Sequence, residues 1–567
     1  MERSAAYPDF LALLKTQSER LGAKTALSIF ENDHWRILGY RGLYEHAVAM
    51  AKVLHQAGLE PGDRVILWGT SSIEWVIHFF AVMICRATAI PMDTNLKEKE
   101  IGGILDHSEP RLILVSEKFK EIASNLRHRA THSSKVLVME PFRTAKIPTV
   151  ESSDLNLTPG SGEDHLAVIC YTSGTYGTPK AVQLTASAML FDSEMCFSVR
   201  GFSLETDVTL SILPFFHLYG LNTGLVVALL TGEEFCMAHE LSMDAIVFCV
   251  QSRAVTQILA VPLFVTLLHR GIEKKIMETS GPLLQKSFKH LLKATQLLPV
   301  DALRKILFGK IQKKLGSSLR RFICGGAELN PDTYEFFRSI GIPVYVGYGL
   351  TETGPVVSLN TEMNTKVGSV GRPLPEIQIR IQKENETDLA GEVQTKGKNL
   401  MCGYYHAPEL TQNAMTSDGW FRTGDLGNLD EEGFLFIRGR LKSLIVLSSG
   451  KKVHPEEVEA LFSKSANLRT VCVVDMPSEN AQGVDIVCVM VPTDDFIKKC
   501  HSDLNLIQDS LMPEVMALAQ DLSDYKRPVQ YLFSLDPLDL TSTAKVKRDL
   551  VREKFKGVKK IPAYTPA

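Results

Sequence analysis

The 567-residue chain exceeds one ordinary globular domain and leaves room for about three or four domains or subdomains. Its 62 Lys and Arg nearly balance 65 Asp and Glu, for a formal charge of -3, and 45% of residues are hydrophobic, a folded-protein composition with no global signal for a nucleic-acid partner. Apolar runs are too short, or broken by Arg86, to span a bilayer, and the opening residues lack a signal peptide's basic start and cleavage site, so a cytoplasmic location is expected.

The ten cysteines are scattered among apolar neighbours, as around Cys170, Cys236 and Cys488, without a CxxC pair. That pattern predicts buried free thiols, since zinc sites need paired ligands and disulfide scaffolds are small and cysteine-dense.

Residues 1–22 form an amphipathic helix candidate. From Asp63, short β-branched runs alternate with helical patterns: DRVILWG before SSIEWVIHFFAVMICRA, then RLILVSE before EKFKEIASNLRHRA, then KVLVME. Strand, helix and strand at this spacing predict a parallel sheet covered by helices. The pattern resumes with VTLSILPF, EEFCMA, VTQILAVP, LRRFICGG and IPVYVGYG. The expected fold class is therefore α/β.

Between those two stretches, the strand LAVIC leads into YTSGTYGTPKAV, residues 171–182. Glycines free the backbone amides, while the hydroxyls of Thr172, Ser173, Thr175 and Thr178 and the ammonium of Lys180 add to a cradle suited to a triphosphate. It is not a Walker A loop, and a polar glycine loop by itself also reads as a simple turn. Residues 270–321 carry 13 Lys or Arg against three acidic residues, in two amphipathic helical patterns. After about residue 354 the texture changes to short alternating strands with Gly and Pro turns, a β-rich subdomain over about 355–438. Beyond residue 438 comes a small α+β unit with strands LRTVCVVDM and VDIVCVMVP.

The glycine loop resembles the phosphate loop of the adenylate-forming (AMP-binding) superfamily, which includes acyl-CoA synthetases, aryl-CoA ligases, luciferases and peptide-synthetase adenylation domains. The resemblance continues in order through LPFFHLYGL (213–221), GGAEL (325–329), GYGLTETGP (347–355), GWFRTGDLG (419–427), IRGRLKSLIVLSSGKKVHPEEVE (437–459) and TSTAKVKRD (541–549). It covers the chain from about residue 30 to 555, and seven ordered motifs leave little room for chance.

The resemblance implies a large N-terminal domain, residues 1–438, a hinge at 439–442, and a small mobile C-terminal domain, 443–567. It implies ATP, Mg2+ and coenzyme A as cofactors and a two-step reaction: acyl adenylate formation with release of pyrophosphate, then thioester formation. ATP or AMP is expected on Thr172, Ser173, Gly174, Thr175, Gly177, Thr178 and Lys180, and on Gly325, Gly326, Ala327, Tyr348, Gly349 and Thr351. Asp425 is expected to take the ribose hydroxyls, with Ile437 nearby and Arg440 as its partner. Glu352 and Thr172 are the metal candidates, because magnesium prefers oxygen ligands.

Lys545 carries the implied charge-offsetting role in the first half-reaction, with Thr351 at the phosphate and His217 as the gate of the acid pocket. A histidine among apolar neighbours also reads as a core residue. Lys442 takes the hinge position and Gly450 the thiol channel, with Lys451, Lys452 and Arg548 as weaker candidates for the coenzyme A phosphates. Three positions depart from the pattern: Tyr176 for Ser or Thr, and Ala181 and Ala544 for glycine. Because Lys180, Glu352, Asp425 and Lys545 remain, activity is expected.

FDS at 191–193 resembles the amino-group-binding motif of peptide-synthetase domains but falls in a helical stretch before the LPFFH strand, so amino acids are disfavoured. The basic segment between Pro262 and Gly325 resembles an insertion of long-chain acyl-CoA synthetases. A medium- to long-chain fatty acid is therefore the expected substrate and coenzyme A the acceptor. The alternatives are a ligase that loads an acyl carrier protein and a non-catalytic binding protein. The basic helices would suit peripheral contact with an anionic membrane or an acidic carrier, or would form a solvated hairpin.

Overall fold

The computed structural model describes residues 7–127, 134–139, 164–172, 180–199, 204–238, 240–279, 288, 292, 301–447, 451–478, 483–541, 546–556 and 558. It divides into two compact units, one of residues 1–379 and 395–421, the other of 380–394 and 422–567.

Two large sheets build the first unit. One has nine strands in the order Arg372–Pro373, Ser358–Leu359, Val344–Tyr348, Arg321–Cys324, Gln257–Ala260, Val208–Ser211, Glu234–Met237, Thr25–Glu31 and His34–Gly39. Its inner pairs are parallel, and antiparallel strands close both edges. The other has seven strands in the order Gly403–Tyr404, Lys180–Thr185, Leu166–Thr172, Thr88–Pro91, Arg64–Trp68, Leu112–Val115 and Lys135–Val138. Its last five strands run parallel, and the Lys180–Thr185 strand pairs antiparallel with both neighbours. These are the layers expected from the alternating strand and helix pattern.

The helix Ile73–Ile84 shows why the pattern works. Ser72 caps it by accepting from the Trp75 amide, and every residue of the helix is buried. Its Phe79 and Phe80 meet Phe10 of the helix Phe10–Leu21, whose own cap is Asp9. The ten cysteines are free thiols, nine buried and Cys402 exposed. Among the described residues no helix is long and apolar enough to cross a membrane.

The strands that follow residue 354 do not form a single separate sheet. Ser358–Leu359 and Arg372–Pro373 extend the nine-stranded sheet, and Gly403–Tyr404 extends the seven-stranded one. The remaining strands, Gln378–Gln382, Gly391–Lys396, Phe421–Leu429 and Leu435–Arg440, make a four-stranded sheet. In the second unit, the strands Leu468–Pro477, Val484–Pro492 and Gln530–Phe533 form a small sheet against the helices Pro455–Phe462, Leu504–Ala519 and Arg548–Phe555. Two apolar clusters hold it together, one around Phe462 and Val473, the other around Val487 and Leu532.

Candidate functional site

The glycine-rich segment joins two antiparallel neighbours of the seven-stranded sheet. Residues 167–170 of the strand Leu166–Thr172 are buried, and antiparallel pairing sets Thr172 opposite Lys180. Both ends of the segment are thereby fixed by the sheet, and the Thr172 hydroxyl donates to the Lys180 carbonyl at 3.4 Å. Ser173, Gly174, Thr175, Tyr176, Gly177 and Thr178 lie outside the described residues. Ala181 is a buried core residue of the return strand.

Lys180 and Glu352 converge on one side chain that the sequence did not single out. Lys180 Nζ donates to the Tyr404 hydroxyl at 3.3 Å and lies 4.6 Å from the centre of its ring. That hydroxyl donates in turn to Glu352 Oε1 at 2.9 Å. Burial, reinforced by the Glu352 carboxylate, pushes the Tyr404 phenol well above its ordinary range, so it stays protonated at neutral pH. Tyr404 stands on the edge strand Gly403–Tyr404, opposite Val182.

Glu352 sits in the short 3-10 turn Thr351–Thr353, and its surroundings fix that turn from behind. An added Cβ at Gly349 would fall 1.8 Å from the Pro355 carbonyl oxygen, so only glycine fits. The Thr353 hydroxyl bonds with the Leu350 amide and carbonyl, each at 2.9 Å. Asn222 Nδ2 donates to the Gly354 carbonyl at 2.8 Å. Asn399 Nδ2 donates to the carbonyls of Thr353 at 2.5 Å and Val356 at 3.0 Å. Asp192 accepts from the Val356 amide at 3.1 Å and from Asn222 at 3.3 Å. All three polar side chains are fully buried. Burial also pushes the Asp192 carboxyl well up, against the pull of those hydrogen bonds.

Asp192 belongs to the FDS triplet and lies within the helix Ala186–Ser198, as its sequence context indicated. It braces the Glu352 turn. Asn222 comes from a π-helical stretch, Tyr219–Val226, an irregularity frequent at functional sites.

Gly325 follows directly on the strand Arg321–Cys324, and Tyr348 ends the adjacent parallel strand Val344–Tyr348. Gly325–Ala327 and Tyr348–Thr351 therefore leave neighbouring strands at their carboxyl ends, where open α/β sheets bind ligands. A Cβ on Gly325 would lie 3.5 Å from the ring of Tyr219, whose hydroxyl donates to the Ile323 carbonyl at 3.0 Å. Gly326 has φ +90° and is exposed with Ala327, leaving backbone open to a flat ligand. His217 is half-buried just beyond the strand Val208–Ser211, its ring 4.6 Å from that of Phe216.

In the second unit Asp425 and Arg440 are register partners on the strands Phe421–Leu429 and Leu435–Arg440. Arg440 Nε meets Asp425 Oδ1 at 2.8 Å, and the Asp425 amide donates to the Thr423 hydroxyl at 3.1 Å. Asp425 is buried, Ile437 half-buried opposite Gly427, and Arg440 exposed. Lys442 is exposed in the 3-10 turn Leu441–Ser443. Lys451 lies 4.4 Å from the ring centre of Tyr525, and Lys452 pairs with Glu384 at 2.5 Å.

Arg548, a weaker candidate for the coenzyme A phosphates, has carboxylate partners within its own unit. It pairs with Glu456 at 3.1 Å and Glu459 at 2.7 Å, which ties the helix Arg548–Phe555 to the helix Pro455–Phe462. Lys545, Ala544 and Gly450 lie outside the described residues.

The two residues expected at magnesium, Glu352 and Thr172, both belong to the first unit and carry hard oxygen donors of the kind that cation takes. Among the described residues no three His, Cys, Asp or Glu side chains gather into a metal cage. Magnesium does not need one, because one or two carboxylates and the phosphates of a substrate suffice.

Comparison with known proteins bears on this geometry. The family model described as AMP-binding enzyme matches residues 14–405. A 2-succinylbenzoate–CoA ligase of Bacillus velezensis is 29% identical over 95% of this chain and 97% of its own. Long chain acyl-CoA synthetase 1 of Arabidopsis thaliana is 28% identical over 82% of this chain and 75% of its own. Among solved structures, ATP-bound MatB from Rhodopseudomonas palustris superimposes with a TM-score of 0.76 at 24% identity, covering 97% of this chain and 99% of that one, a likeness of fold.

Proposed function

The chain belongs to the AMP-binding enzyme family, as an adenylate-forming CoA ligase that uses ATP, magnesium and coenzyme A, and on that premise we propose that its acid is a medium- to long-chain fatty acid. The observation that carries the chemistry is the convergence of Lys180 and Glu352 on the Tyr404 hydroxyl. On this reading the lysine serves as a cation for phosphate oxygens and the glutamate as a carboxylate for magnesium, both within reach of one hydroxyl.

In the first half-reaction a carboxylate oxygen of the acid attacks the α-phosphorus and pyrophosphate leaves. Negative charge grows on the phosphate oxygens, so fixed cations accelerate the step. Lys180 and Lys545 are proposed for that role, with Thr351 at the phosphate. Glu352 and Thr172 would hold magnesium, which supplies further charge neutralisation when bound. Gly325, Gly326, Ala327 and the Tyr348 ring would receive the adenine, and Asp425, steadied by Arg440, the ribose hydroxyls. His217 would gate the acid pocket.

In the second half-reaction the thiol of coenzyme A attacks the acyl carbon and AMP leaves. Lysine and thiol need the same side of one phosphate, so movement at Lys442 would exchange Lys545 for the channel at Gly450, with Lys451 and Lys452 near the coenzyme A phosphates.

Support for a fatty acid comes from the long-chain relative and from the basic segment, whose second helical pattern lies in the helix Asp301–Leu315, while the first, from Leu284 to Thr295, lies outside the described residues except for Phe288 and Leu292. The test is exchange of labelled pyrophosphate into ATP with a panel of fatty, aryl and amino acids, followed by thioester formation with coenzyme A or carrier protein offered in parallel. Fatty acids of medium to long chain should support exchange best. Stronger exchange with an aryl acid rejects that substrate class, and transfer to carrier protein alone rejects coenzyme A. The same basic segment supports peripheral contact with anionic membranes, and equal pelleting of wild type and K313E/K314E with anionic vesicles would rule that out.

A further inference from the structure

We propose that Tyr404 is a positioning residue for magnesium-ATP: its neutral hydroxyl keeps Lys180 and Glu352 from neutralising each other and aims both at the incoming nucleotide. The inference rests on the adenylate-forming reading above and deepens it.

A phenol offers one donor and two acceptor lone pairs. Here the proton goes to Glu352 Oε1 at 2.9 Å and a lone pair takes the Lys180 ammonium at 3.3 Å. The hydroxyl is therefore a spacer between opposite charges that two hydrogen bonds hold no more than 6.2 Å apart. Both side chains are long and flexible. With nothing between them they can close into a direct ion pair, in which the lysine is spent on the carboxylate rather than on phosphate, and the carboxylate on the lysine rather than on magnesium.

The spacer is itself firmly held. Tyr404 is only 5% exposed, and its amide donates to the Thr411 hydroxyl at 2.8 Å. Its strand pairs with the one that carries Lys180, and the nearby Met401 amide donates to the Glu352 carbonyl at 2.9 Å. One short stretch, residues 401–404, thus touches both segments that carry the two charges, and the tyrosine is fixed relative to each. A phenol is ordinarily uncharged at neutral pH, so it separates the charges without adding a third.

The test is Y404F, which keeps the ring and its packing and removes only the hydroxyl. In pyrophosphate exchange, the KM for ATP and the magnesium half-saturation are expected to rise about tenfold, as for loss of a hydrogen bond to a charged group. The KM for the acid should stay within about twofold. ATP binding without magnesium, measured by calorimetry, should weaken in Y404F but not further in Y404F/E352Q relative to E352Q, because the competing ion pair can no longer form. Unchanged ATP and magnesium dependence in Y404F overturns the proposal. So does a binding loss that persists in the E352Q background. Absence of exchange in the wild type with every acid overturns the ligase reading instead, which keeps the two failures distinct.

Discussion

Replacing Glu233 with glutamine tests how the first unit tolerates a buried acid. Glu233 is fully buried: Oε2 accepts from the Thr209 hydroxyl and from Gln257 Nε2 at 3.1 Å, whereas Oε1 has no hydrogen-bond partner among the described residues. Burial pushes the carboxyl from 4.5 up to about 8, against the pull of the Thr209 hydrogen bond. Below pH 4.5 the folded and unfolded states both hold the proton, and stability does not depend on this group. Between 4.5 and 8 the unfolded chain releases a proton that the folded chain keeps, so the fold loses stability as pH rises. The limiting slope is about 1.4 kcal/mol per pH unit. Above 8 both states are ionised and the loss levels off. Glutamine keeps the two acceptor bonds and has no proton to lose. The stability of Glu233→Gln relative to wild type should therefore climb by about 2 to 3 kcal/mol between pH 5.5 and 7.5. Urea denaturation followed by tryptophan fluorescence reads this cleanly, because Trp35, Trp68, Trp75 and Trp420 all lie in the same unit as Glu233. Parallel pH profiles for the two proteins would refute a carboxyl held protonated by burial.

Two further perturbations address the reaction and the brace behind the Glu352 turn. Lys545→Ala should lower pyrophosphate exchange by at least about a hundredfold while leaving thioester formation from supplied acyl adenylate within about threefold, since the lysine offsets charge only in the first step; equal losses in both half-reactions contradict an exchange of conformations between them. Asn399→Ala strips the donor from the buried carbonyls of Thr353 and Val356, and should cost about 2 to 4 kcal/mol in the same urea assay and raise the KM for ATP; an unchanged midpoint would mean that the amide does not hold the turn.

What the sequence disclosed, and what it hid, divides along the range of the contacts. The strand before the glycine segment is local, and residue type with spacing is enough to suggest it, whereas the partnership of Asp425 with Arg440 comes from the family resemblance. Tyr404 is different. Nothing in NLMCGYYH indicates that its strand returns to pair with a strand more than 200 residues earlier, which alone brings the phenol to Lys180. Asn222 and Asn399 are hidden for the same reason, because an amide that satisfies a distant carbonyl leaves no periodic trace. The alternating pattern after residue 354 correctly announced strands, yet a two-residue strand carries too few side chains to specify which sheet it joins. Arg548 is hidden in the same way, for two glutamates from the helix Pro455–Phe462 engage its guanidinium, a match of charge that only the tertiary fold creates.

The buried amides behind Glu352 follow from what a charged site requires. A carboxylate and an ammonium that must act on a triphosphate gain most if they are oriented before the ligand arrives, since reorientation during the reaction adds to its barrier. Side-chain flexibility works against that, and so does mutual attraction. The first unit meets the flexibility at the backbone, where Asn222, Asn399 and Asp192 saturate the polar groups of the turn around residues 353–356 in a region closed to water. A buried polar network of this kind is stable only when its members are satisfied, so a shift of the turn would strand several groups at once. The attraction is met by the phenol. A water molecule could bridge the same two charges, but it would exchange with solvent and could leave, whereas a tyrosine fixed in a strand cannot.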